Sequence, residues 1–175
     1  MRLRKGQRGS AMVEFALVGV PLLFAWISAV EMARGMWQYH TLQYAVKAAG
    51  GYVSVHGANC AVSPNSCTIQ IKDAAAVLKT AAIGIPDNQV NVQFTSASGA
   101  ALTCNPLTTC YGNTTQWPPA TPVSDPDNLT GKSFTIRADY VFRSALSMVT
   151  PGVQNGVVTF GAPTLSGFTR ETVLF

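Results

Sequence analysis

Residues 11 to 30, AMVEFALVGVPLLFAWISAV, are the feature to which the rest of this chain must be fitted: twenty residues holding one charge, Glu14. At about 1.5 Å rise per residue a helix over them is about 30 Å long, the depth of a bilayer's hydrocarbon core. The spacing therefore predicts one membrane-spanning helix. Glu14 is the anomaly in it, because an ionised residue at the centre of a membrane helix costs roughly 2.5–3.5 kcal/mol even on lenient insertion scales, and such charges mark function. Pro21 lacks an N–H and frees the carbonyl of Leu17, so a kink or softened turn is expected there, either as an ordinary membrane-helix proline or as a hinge.

The flanks orient the span. MRLRKGQR, residues 1–8, is a basic leader, and the four cysteines all follow the apolar run. Positive charge before the helix places the N-terminus in the cytoplasm and the remainder outside. The net charge of +4 comes from the leader: without Arg2, Arg4, Lys5 and Arg8, four of the twelve basic residues, eight basic residues face eight acidic ones. A body so balanced lacks the cationic stripe that phosphate binding needs, which argues against nucleic acid as a partner. Hydrophobic residues make up 47% of the chain and charged ones 11%, so part of it is not water-facing.

Cys60/Cys67 and Cys104/Cys110 form two local pairs in loops rich in Pro, Asn, Ser and Thr. Their intervals of six and five residues are wider than the two to four usual between paired zinc ligands. Disulfides are expected, in agreement with an extracytoplasmic body, although spacing leaves their connectivity open.

Beyond Val30 the helix is expected to continue as an amphipathic stripe of Met32, Met36, Tyr39, Leu42, Val46 and Ala49, packed against the body, and to end at Gly50-Gly51. Trp26, Trp37 and Tyr39 bracket the exit zone as headgroup anchors, with Trp37 equally suited to a core. IKDAAAVLKTAAIG predicts a second helix stopped by Gly84 and Pro86, and QVNVQFTS a half-buried strand with Val90, Val92 and Phe94 inward. From Ser98 to Gly131 periodicity vanishes, and a long, exposed, mobile loop is expected apart from its staple, with Trp117 tucked against the sheet or available to bind. SFTIRADYVF alternates cleanly, and strands are expected at 155–161 and 167–175, the last near a sheet edge. The fold class is α+β: a long N-terminal membrane-spanning helix continuing into a small extracytoplasmic domain with a second helix and an antiparallel sheet of four strands. The divisions expected are residues 1–9, 10–51 and 52–175.

Nothing in the residue inventory assembles a catalytic, cofactor or metal site. His40 and His56 lie in no metal spacing, and no GxSxG, GxGxxG or phosphate loop occurs. Asp125 and Asp127, flanking Pro126, suit a turn better than a weak cation site. The reading is of a protein without enzymatic activity. A secretory signal peptide would place small residues at a cleavage site after the apolar core, and the residues after Ala25 do so poorly.

The conspicuous junction lies before the core instead. RGSAMVEFALV, with basic residues, then Gly9, Ser10, and Glu14-Phe15 where Glu14 is fifth from Ser10, resembles the processing site of type IV prepilins and, more closely, the TadE-like (TadE/TadG group) pseudopilins of the tight-adherence pilus system. The resemblance is strongest over residues 7–30 and weaker in MWQYHTLQYAVKAAGG and FTIRADYVFRSAL; the loops 57–71 and 98–131 carry none of it. It implies cleavage between Gly9 and Ser10 by a prepilin peptidase, and a minor pilin or pseudopilin supporting pilus assembly from the bacterial inner membrane, with its domain periplasmic or carried into an extracellular pilus. Its partners would be other pilin subunits, the assembly platform and the lipid bilayer. Pro21 lies closer to the mature start than in typical major pilins. Cleavage would create an amine on Ser10, cationic with a pKa near 8, which Glu14 of an adjacent subunit can meet in lipid. Within one chain Glu14 instead suits the positive end of the helix dipole. The alternative function is an uncleaved single-pass anchor presenting a periplasmic binding domain.

Overall fold

Helix α1 runs from Arg8 to Ser54, 47 residues, passing through Pro21 and on through Gly50 and Gly51. These coordinates are a computed structural model, which describes residues 8–60, 67, 69–144, 152–154, 157–159 and 163–175. From Met12 the helix is long and apolar enough to cross a membrane, and none of its most apolar stretch is buried. Two compact units are distinguished, Met1–Met36 with Ser144–Gly161, and Trp37–Arg143 with Ala162–Phe175. The first unit includes a short antiparallel pair of strands, β4 (Gly152–Gln154) and β5 (Val157–Thr159).

The second unit is built on a four-stranded antiparallel sheet. Its strands are β1 (Val90–Thr95), β2 (Ala101–Cys104), β3 (Ser133–Val141) and β6 (Thr164–Thr172), in the order β2-β1-β3-β6. Alternation sorts the side chains as the sequence predicts: Val90, Val92, Phe94, Phe134, Ile136, Ala138 and Tyr140 are buried on one face. The register sets Phe94 opposite Ile136 and Ala138 opposite Gly167. The stripe of α1 that joins this core is Leu42, Ala45, Val46, Ala49 and Val53, all fully buried. Helix α2 (Ile71–Ala81) adds Ile71, Ala74, Ala75 and Leu78, and its first turn is tied by the Gln70 N–H donating to Asp73 Oδ2 at 2.9 Å.

Several expectations are corrected. The diglycine does not end α1, because packing outweighs the low helix propensity of glycine: a Cβ on Gly50 would stand 2.8 Å from Thr169 Cγ2 and 3.1 Å from Glu171 Cγ. Gly50 is thus the place where helix meets β6, while Gly51 faces open space. The matching gap on the strand is Gly167, whose Cβ would lie 3.1–3.3 Å from Val46 Cγ2 and from Leu42. The upper stripe residues Met32, Met36 and Tyr39 are exposed, so the core-facing stripe begins at Gln38 and Leu42.

The fourth strand is β2, inside the stretch expected to be loop, whereas the strand expected at 155–161 is represented by β5, paired only with β4; residues 155, 156, 160 and 161 lie outside the described ones. Strand β6 does lie at a sheet edge. Gln43 of α1 covers part of that edge, donating from Nε2 to the Ser166 carbonyl at 3.1 Å and accepting at Oε1 from the Phe168 N–H at 3.4 Å. Beyond β6, the Leu174 N–H closes the end of α1 by donating to the Ser54 carbonyl at 2.8 Å.

The two neighbouring glycines make opposite predictions. Gly51→Ala gains helix propensity with no collision and raises stability by about 0.5–1 kcal/mol. Gly50→Leu overpacks the helix–strand contact and lowers it by about 1–3 kcal/mol. Denaturant unfolding of the full chain in detergent, followed by circular dichroism, measures both.

Candidate processing and assembly segment

Gly9 and Ser10 fall in the first turn of α1, and Glu14 and Phe15 in the next. Residues 10 and 14 are one turn apart on one helix face, a rise of about 6 Å. Glu14 is exposed, as is Phe15, whose ring lies beside Gly19 so that a Cβ there would touch it at 3.6 Å. No acid occupies the first turn of a helix beginning at Arg8. Since dipole stabilisation falls off within that turn, Glu14 is poorly placed to benefit from it in the uncut chain. Were the helix to begin at Ser10, the carboxylate would come one turn closer to the new end.

Cys60 is bonded to Cys67 and Cys104 to Cys110. The second bridge is buried, running from the end of β2 to a 3-10 turn, Leu107–Cys110, whose Leu107 is also buried. The stretch expected to be exposed and mobile is therefore partly core. Trp117 is buried edge-on against Phe94 at 5.8 Å between ring centroids, and its backbone N–H donates to the Ile69 carbonyl at 3.0 Å. Of the two roles open to this indole, packing is the one observed.

Two polar clusters that the sequence did not reveal hold the same loops. Tyr111 donates its hydroxyl to Asp87 Oδ2 at 2.6 Å, and Lys79 Nζ lies 3.6 Å from that oxygen and 4.7 Å from the Tyr111 ring centroid. The Tyr111 hydrogen bond first, outweighing desolvation, and then Lys79 hold Asp87 below the ordinary carboxylate range; burial first and then Asp87 push Tyr111 above the ordinary phenol range. Asp127 is buried and accepts from the Ser98 N–H at 3.1 Å and from the Ser98 hydroxyl. Burial alone would raise its pKa, but the Ser96 and Ser98 hydrogen bonds and the charge of Lys132 outweigh it and hold the carboxyl low.

Asp127 is thus a loop anchor, and its neighbour Asp125 pairs with Lys132. His56 Nδ1 lies 2.7 Å from the Tyr52 carbonyl, its ring tilted on Tyr52, and His40 is exposed. Among the described residues no group of three or more His, Cys, Asp or Glu is placed to hold a metal ion.

Because its folded pKa is depressed, Asp127 contributes stability above its unfolded pKa of about 3.9, and that contribution is lost as pH falls through the lower folded value. Asp127→Ala removes the charged acceptor of the Ser98 N–H and hydroxyl and is expected to cost about 1–3 kcal/mol at pH 7. In Asp127→Asn the acid-side decline becomes shallower. Denaturant unfolding at stepped pH between 7 and 3 measures both.

The family model described as TadE-like protein matches residues 9–50. No curated protein and no solved structure gives a match. The matched segment opens at Gly9, takes in the whole apolar run, and closes at the glycine that seats α1 against β6. Over that segment, which carries Gly9, Ser10, Glu14 and Phe15, this chain matches the TadE-like protein family.

Proposed function

We propose that this protein is a non-enzymatic, membrane-anchored subunit of a tight-adherence pilus system, a minor pilin or pseudopilin cut between Gly9 and Ser10 by a prepilin peptidase. The observation that carries this reading is a coincidence of boundaries. The family match begins at residue 9, where the basic leader ends and three residues before the one candidate span found among the described residues, Met12–Ser54. Residues 1–9 are the leader removed, 10–51 the span and its continuation, and 52–175 the periplasmic domain. The leader holds the site at the cytoplasmic face of the inner membrane, and glycine offers the peptidase a scissile residue without a side chain.

Cleavage leaves a cationic amine on Ser10 at the end of an apolar helix. In lipid both this amine and the Glu14 carboxylate are costly alone, so pairing between adjacent subunits supplies attraction and register together, since a neighbour displaced lengthwise strands both charges. Phe15 completes the Glu-Phe pair. Partners on this reading are the peptidase, other pilin or pseudopilin subunits, the assembly platform and the bilayer.

Mass spectrometry of the protein from cells with an active prepilin peptidase is expected to find a chain beginning at Ser10, and Gly9→Leu is expected to retain Met1. An intact N-terminus in the unaltered protein would make it an uncleaved anchor and overturn the processing step. Glu14→Ala is expected to be cut normally while piliation falls; normal piliation in that variant would remove the register role.

A further inference from the structure

Helices α1 and α2 pack on one face of the sheet, and the opposite face is open. One row of side chains crosses it: the register sets Thr103 opposite Gln93, Gln93 opposite Arg137, and Arg137 opposite Phe168, and all four are exposed. With strands about 4.8 Å apart the row is about 14 Å long. Phe168, 58% exposed, stands at its β6 end. Over β1 and its two neighbours lies a shallow polar depression of about 180 Å³, whose lining includes Asn91, Gln93, Thr103 and Asp139.

Charge says what kind of molecule fits. Alternation along β3 and β6 puts Arg137, Asp139 and Arg170 on this face, and Arg143 follows, exposed, just beyond β3. Three of the eight basic residues outside the leader thus gather on or beside it with one acid. Asp139 accepts from Arg137 Nε at 3.1 Å and from the Ser166 hydroxyl at 2.5 Å, which leaves the Nη pair of Arg137 for a second carboxylate. A second copy of the chain is poorly suited to supply it, since Asp73, Asp87, Asp125, Asp127 and Glu171 of this unit are each engaged by neighbours of their own.

A protein partner needs an apolar centre from which water is excluded, and the large apolar side chains of this face, Phe168 and Val141, are four positions apart along the strands. Single-stranded nucleic acid needs successive aromatic platforms, and Phe168 is the lone ring among the described residues of the face. A pyranose asks for less. Its C–H face stacks on one aromatic ring, and its rim of hydroxyls meets the paired donors and acceptors of amide and carboxylate groups.

We propose that the open face of the sheet binds an acidic oligosaccharide, a chain carrying hexuronic acid units. Phe168 underlies one sugar ring, Arg137 beside it and Arg170 two residues along β6 take carboxylates, and Gln93 and Asp139 take hydroxyls of a neighbouring unit. The site lies wholly within the second unit and is independent of the proposed cut at Gly9.

The test is fluorescence anisotropy of a fluorescein-labelled hexagalacturonate titrated with the full chain in a neutral detergent. Saturable binding is expected, weakening as salt is raised from about 0.05 to 0.3 M. Arg137→Gln and Phe168→Ser are each expected to weaken it about tenfold with the circular dichroism spectrum unchanged. Changing Arg2, Arg4, Lys5 and Arg8 together to Gln is expected to leave it unaltered. Binding that survives both face variants and falls in the leader variant is capture of a polyanion by the leader and overturns the site. Competition by polyglutamate as strong as by unlabelled hexagalacturonate, with Phe168→Ser without effect, assigns the face to an acidic protein and overturns the sugar. Absence of saturable binding overturns the proposal outright.

Discussion

The approach of α1 to β6 is the constraint on which the second unit depends. Two missing side chains make it possible, Gly50 on the helix and Gly167 on the strand, and they let the stripe from Leu42 to Val53 lie close over the sheet. Burying a leucine- or valine-sized side chain is worth about 1.5–3 kcal/mol, so the stripe outweighs the roughly 1 kcal/mol that each of Gly50 and Gly51 costs the helix. Once the helix is fixed there, its end is closed by Leu174, the β6 edge is partly covered by Gln43, and α2 completes the core. The loops then follow as attachments: a buried disulfide, the Trp117–Phe94 contact, and the Asp127 and Tyr111–Asp87–Lys79 clusters.

The first part of α1 obeys a different physics. Its apolar side chains are exposed along the most apolar stretch of the helix, which lipid would satisfy and water would not. In that setting Glu14 is a question of pairing more than of helix propensity. The proposed cut at Gly9 answers it by creating a charge of opposite sign one turn away in sequence. The same bond cleavage would remove the basic leader, so a single proteolytic event changes both the topology signal and the electrostatics of the segment that must find a neighbour.

Much of this architecture was readable before any coordinates. The apolar run needs only length and hydropathy, and β1 and β3 announce themselves because every second residue is apolar over six to nine positions. Strand β2 did not, since ALTC is too short for alternation to register and becomes a strand only through pairing of Val92 with Cys104 and its neighbours. Gly50-Gly51 read as a stop because propensity is local, while the residues that override it, Thr169 and Glu171, are about 120 positions away. Asp127 looked like a turn acid because its donors, Ser96 and Ser98, lie in another segment. Trp117 was legible as an aromatic either tucked against the sheet or available to bind, but Phe94 could not be named as its neighbour.

The sequence by itself determined the candidate span, the basic-to-apolar junction with Gly9, Ser10, Glu14 and Phe15, the α+β class, and the faces of the principal strands. These are properties of composition and period, encoded within a few turns or one strand. Only the tertiary structure decided where α1 ends, which glycine is a contact and which is open space, that part of the long loop belongs to the core, and that the turn at Gly84 is carried beside Trp37. Each of those depends on residues distant in the chain meeting at van der Waals or hydrogen-bond range, and such meetings leave no periodic trace in the order of the amino acids.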